Sequence, residues 1–119
     1  MWIVALAGEQ DLSTAQDIDM ILTTAVSSGD PVVVDLLHAT FADSSILGTI
    51  LRAAERVDER GLAVVLPSGG EVRRLFDLVG AQSMVSTFAR LQDAIDWCHP
   101  DQRSADEDGA EGREEPAGA

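Results

Sequence analysis

The stretch Val32-Val33-Val34-Asp35-Leu36-Leu37, introduced by Pro31, constrains the fold more than any other part of the chain. A β-branched run without polar alternation has no solvent face, so it predicts a central strand covered on both sides, the pattern of a parallel sheet layered with helices. A second apolar run, Met1 to Ala7, is closed by the turn residues Gly8-Glu9-Gln10-Asp11, and a third runs from Leu62 to Leu66. Met84 to Phe88 predicts a short edge strand.

Helical spacing fills the intervals. Ser13 with Gln16 three residues on predicts a capping box, followed by a stripe of Ala15, Ile18, Ile21, Leu22 and Ala25 that Ser27-Ser28-Gly29-Asp30-Pro31 stops. After Asp43 the positions Leu47, Ile50, Leu51, Ala54 and Val57 trace a second stripe, with Gly61 as its expected end. Ser68 and Glu71 predict the cap of a third helix that turns Val72, Leu75, Phe76 and Val79 inward before Gly80. Arg90 to about Cys98 predicts a closing helix. Strands alternating with helices through short connections require right-handed crossovers, hence an α/β domain: a layered, mostly parallel mixed sheet of about four strands with four helices. Its expected extent is residues 1–98. The segment 99–119 is expected to be a disordered acidic tail, because its last twenty residues carry seven acids and two Arg with almost no large apolar side chains.

Charge narrows the function classes. The chain has a formal net charge of −13, and the folded part is acidic in its own right, so it repels nucleic acid and anionic membranes and suits a soluble partner with a basic or mixed surface. Two Trp, three Phe and no Tyr leave few platforms for stacking on bases. All eight cations are Arg, a usage expected of GC-rich bacterial coding sequence. The single cysteine, Cys98, cannot form an internal disulfide, and no apolar run reaches the roughly 20 residues of a membrane span, so the expected location is the cytoplasm.

Asp43-Ser44-Ser45 joins a strand run ending in Phe41-Ala42 to the helix opening at Ile46-Leu47-Gly48. Asp and Ser at a helix start accept hydrogen bonds from free backbone N–H groups, so capping alone explains part of the triplet. With Asp43 as N-cap, Ser44 is the first helical residue and projects into solvent, where a phosphate can be added and tolerated. Ligands in such sheets gather at the carboxyl ends of strands, which also makes Gly8 to Asp11 a neighbour of the triplet. Nucleophilic catalysis by Ser44 needs a base oriented by a third group, and neither His38 nor His99 has an evident partner. Asp17 and Asp19 do not share a helix face, and no zinc or calcium spacing occurs, so no metal and no cofactor are expected. Ser68-Gly69-Gly70-Glu71 lacks the Lys and the glycine spacing of a phosphate-binding loop.

Taken in order, Gly8-Glu9-Gln10-Asp11, Val32-Val33-Val34-Asp35-Leu36, Phe41-Ala42-Asp43-Ser44-Ser45-Ile46-Leu47-Gly48 and Val72-Arg73-Arg74-Leu75-Phe76-Asp77-Leu78-Val79-Gly80 resemble successive blocks of the STAS domain, and within it the bacterial anti-sigma factor antagonists. The resemblance implies a non-enzymatic partner switch. Unphosphorylated antagonist binds a serine-kinase anti-sigma factor and frees a sigma factor; phosphorylation ends the binding, and a metal-dependent phosphatase of the PP2C type resets it. The resemblance places the phosphoacceptor on Ser44, with Ser45 in reserve, and the partner surface on Asp11, Asp43, Ser44, Ser45, Ile46 and Gly48. ATP belongs to the kinase.

Two departures from the family pattern carry expectations of their own. Antagonists commonly have Gly directly after the paired Ser or Ser-Thr, whereas Ile46 stands here, which predicts a bulky side chain near the docking face. That keeps open a scaffold or transporter-associated regulatory subunit without a phosphorylation cycle, with a hydrolase using Ser44 as a third reading. Met1 stands almost inside the family's second strand, so the first strand is expected to be missing, leaving either a sheet edge open to pairing, self-association included, or a start further upstream.

Overall fold

The computed structural model describes residues 1–99. Its elements follow as β1 (Trp2–Gln10), α1 (Leu12–Ser27), β2 (Val32–Ala42), α2 (Ser44–Ala54), β3 (Leu62–Val65), α3 (Glu71–Val79), a 3-10 turn at Ala81–Ser83, β4 (Ser86–Phe88) and α4 (Leu91–Cys98). The expected tail lies outside the described residues, apart from His99, which caps α4.

The four strands pair in the order β1-β2-β3-β4, every pair parallel. A parallel sheet that always steps in one direction through right-handed crossovers must carry all its crossover helices on one face. It does: Val32, Val34 and Leu36 of β2 point into a core shared with Ile18 and Leu22 of α1, Ile46 and Ile50 of α2, and Val72 and Phe76 of α3. The other face is closed by α4, whose Ala94 and Cys98 pack on Val33, Ala63 and Val65. The unalternated Val32–Val34 run is thereby explained, since successive residues meet different helical layers. β1 is less covered, and Ile3 on its outer face remains 48% exposed.

Within β2 the register slips between the pairs Ala5↔Asp35 and Ala7↔His38. Three residues on β2 span two on β1 there, which is a β-bulge. Buried Asp35 takes up part of the slack: its carboxylate accepts from the Leu37 N–H at 2.9 Å.

Several local expectations are corrected. The capping box of α1 is built by Asp11 and Thr14, not Ser13 and Gln16, because the helix begins at Leu12 and puts Thr14 at its third position. Ile21 and Val79 face outward at 45% and 48% exposure, lying just beyond the width of the stripe each helix buries. α2 ends at Ala54 rather than near Gly61; the chain then winds through turns in which Gly61 passes so close to Val57 that an added Cβ would lie 2.7 Å from the Val57 Cβ. Ser68 caps nothing: the N-cap of α3 is Gly70, whose φ of 93° is a left-sided conformation suited to glycine. Gly80 does stop α3, in the αL conformation.

Candidate functional site

Parallel pairing of β1 and β2 ends with Gln10 opposite Ala42, so the two strands deliver their following helices side by side. The junctions are tied together directly. The Asp43 N–H donates to the Gln10 carbonyl at 3.2 Å, and the Leu12 N–H lies near enough to the Asp43 carboxylate to favour its charged form. Gln10 itself is buried, its amide donating to the Ala7 carbonyl at 2.6 Å and its oxygen accepting from the Thr14 hydroxyl at 3.2 Å.

Both junctions use an aspartate as N-cap, and both share one clasp on the serine two residues on, to which α1 adds the Asp11 N–H donating to the Thr14 hydroxyl. Asp11 accepts from the Ser13 N–H at 2.9 Å and from the Ser13 hydroxyl. Asp43 accepts from the Ser45 N–H at 3.0 Å, from the Ile46 N–H at 3.4 Å and from the Ser45 hydroxyl. The Ser45 hydroxyl is the main reason the Asp43 carboxyl is held below its ordinary value; partial burial works against it, and the N–H groups of Ile46, Ser45 and Leu12 add to the lowering.

The paired serines are thereby made unequal. Ser45 is half-buried with its hydroxyl spent on Asp43, whereas Ser44 is exposed and its hydroxyl has no hydrogen-bond partner among the described residues. A groove of about 280 Å³ runs beside it between α1 and α2, bordered by Leu12, Gln16 and Asp19 on one side and Ser44, Gly48 and Arg52 on the other. Leu12, 76% exposed, offers an apolar knob at its mouth.

Ile46 corrects an expectation. Its side chain is 1% exposed and packs in the main core, so it does not reach the face that carries Ser44. As the third residue of α2 it points inward, where helix and sheet meet. The bulk that set the scaffold reading apart therefore fills the interior. No histidine borders the groove, and His38 stands exposed on β2. Among the described residues no three His, Cys, Asp or Glu side chains gather as a metal site requires, and no helix is long and apolar enough to cross a membrane. A larger hollow, about 570 Å³, opens at the opposite end of the sheet between Ala54, Asp58, Leu62 and Met84, away from the serines.

Sequence reasoning missed Gln10, Leu12, Thr14, Thr49 and Arg52. Thr14 carried a signal in its place three residues after Asp11.

Comparison with solved structures agrees with this architecture. An anti-sigma factor antagonist from Mycobacterium paratuberculosis is 27% identical, with 78% of this chain covering 80% of that one at a TM-score of 0.72. The anti-sigma factor antagonist SpoIIAA in its unphosphorylated form is 24% identical, with 79% of this chain covering 84% of that one at 0.60. SpoIIAA as the Bacillus cell fate determinant in its phosphorylated form is 23% identical, the shares being 79% and 86% at 0.57. The SpoIIAA likenesses are of fold. Residues 1–94 match the model of the STAS domain, and with its parallel sheet and its helices ordered as in these structures, the chain belongs to the STAS domain family.

Proposed function

We propose that this protein is a non-enzymatic anti-sigma factor antagonist whose binding to a serine-kinase anti-sigma factor is switched by phosphorylation of Ser44. The observation that carries the reading is the division of labour within the triplet: Asp43 caps the helix, Ser45 is consumed by that cap, and Ser44 is left outward and unengaged beside a groove. The naming of solved relatives as anti-sigma factor antagonists supports the partner class, and the existence of SpoIIAA in phosphorylated and unphosphorylated forms supports a covalent switch.

In the proposed cycle the kinase transfers the terminal phosphoryl group of ATP to the Ser44 oxygen. The bond to ADP breaks, the serine O–P bond forms, and the hydroxyl proton leaves to a base on the kinase. A PP2C-type phosphatase later directs water at the phosphorus, returning the hydroxyl and inorganic phosphate. The α1–α2 face with Asp11, Asp43, Ser44, Ser45 and Gly48 meets the kinase, and release of the sigma factor follows from that occupancy. A contact shaped around a neutral hydroxyl would have to bury a dianion after transfer, a loss of roughly 2 to 5 kcal/mol, or about thirty-fold to several-thousand-fold in affinity.

Mass spectrometry after incubation with the cognate kinase and ATP should show one phosphate on wild type and none on Ser44→Ala. Phosphate retained at full stoichiometry in Ser44→Ala would refute Ser44 as acceptor. By calorimetry, Ser44→Asp should bind the kinase at least tenfold more weakly than wild type, and equal affinities would refute the switch.

A further inference from the structure

Ser44, Gly48 and Arg52 follow at intervals of four and form one ridge of α2 along the groove. Side chains on a helix lean towards its N-terminus, and the Arg52 guanidinium does so over Gly48. Its Nη2 donates to the Thr49 hydroxyl at 3.1 Å, and its Nη1 lies 3.3 Å from where a Cβ on residue 48 would stand. Thr49 is a fixed anchor, 1% exposed, with its own hydroxyl donating to the Ser45 carbonyl at 2.9 Å. The orientation of the guanidinium is set by that anchor and by the missing side chain at Gly48. Its Nη1 and Nε have no partner, and Arg52 forms no ion pair, among the described residues.

We infer that Arg52 is the internal receptor of the phosphoryl group on Ser44, its guanidinium pairing with the phosphoserine across the gap left by Gly48. The inference rests on Ser44 being the modified residue. From Gly48 to Ser44 is four residues, about 6 Å along the helix axis, which the long arginine stem and the extended phosphoserine together span. Of the charged residues that border the groove among the described ones, Asp19 is the acid and Arg52 the one cation, and Asp43 precedes Ser44 directly in the chain. A dianion added among carboxylates is repelled by each of them. A guanidinium, with several donors in a planar fork, is the group suited to accept it. Arg52 is thus a positioning residue for the modified state, drawing the phosphate along α2 over Gly48.

The test uses the full chain with phosphoserine encoded at position 44, so that no kinase is needed, and follows the second ionisation of the phosphate by phosphorus NMR. A neighbouring cation favours the dianion, so Arg52→Ala should raise that ionisation by on the order of half a pH unit, with a smaller effect in high salt. Gly48→Ala, by crowding Nη1, should shift it the same way, and Arg52→Lys should restore part of the lowering. Arg56→Ala, one turn on and outside the groove, should leave it where it was. Superimposable titrations of wild type and Arg52→Ala, both folded by circular dichroism, would overturn the inference, as would an equal shift in Arg56→Ala. Calorimetry with the kinase reads the switch separately: unchanged affinity of the phosphoserine protein would refute the partner reading and leave the titration result standing.

Discussion

Asp43 couples the start of α2 to pH. Its carboxyl titrates below its ordinary value when folded, so the stability it contributes is fully present above that ordinary value and is lost as pH falls through the lowered one. Asparagine also caps helices but does not titrate in this range. Urea unfolding between pH 7 and pH 3 should therefore show a shallower loss of stability on acidification in Asp43→Asn than in wild type. Ser45→Ala, which removes the largest cause of the lowering, should fall between them. Identical pH profiles for wild type and Asp43→Asn would contradict this account of the cap. At the same scale, Ile46 shows how little a residue type says about direction: the side chain expected at the docking face is core.

Among the elements, α4 covers the second face of the sheet and is held at its far end by Arg60. The Arg60 Nη1 donates to the Trp97 carbonyl at 2.7 Å, and the guanidinium lies 5.1 Å over the Trp97 ring, which itself packs 5.6 Å from Phe88. Cys98 sits behind this clasp, and burial pushes its thiol up while Arg60 pulls it back in part. Arg60→Ala should cost about 1 kcal/mol in urea unfolding, the scale of an exposed cation–π contact and one hydrogen bond. It should also speed labelling of Cys98 by a thiol reagent, since local release of α4 exposes that face of the sheet. An unchanged labelling rate would show that the clasp does not hold α4. The sequence identified α4 by its spacing, yet Arg60 stands 37 residues from Trp97, and nothing local announces that pair.

The whole molecule carries a net charge of −13 with its candidate site at the carboxyl end of a parallel sheet. Such a body approaches a partner under a long-range field, which steers basic or mixed surfaces and is screened by salt. Stopped-flow association with the proposed anti-sigma kinase should slow by roughly tenfold or more as the screening length shrinks from about 10 Å at 0.1 M to about 3 Å at 1 M salt. An on-rate indifferent to salt would instead assign docking to apolar contact at Leu12. The same global arrangement explains why the site is shared between chain segments more than 30 residues apart: parallel strands that end together hand their helices over together.

Composition, short-range spacing and capping chemistry determined the class of this fold, the sequence of its elements and the role of Asp43 at a helix start, because each of those depends on residues within a turn or a strand of one another. Tertiary structure alone decided what the triplet offers. The tie from Asp43 to Gln10, the contact of Leu12 with the Asp43 carboxylate, the inward course of Ile46 and the groove joining Ser44 to Arg52 all follow from strand register and from how α1 and α2 pack, and register is a property of the sheet as a whole.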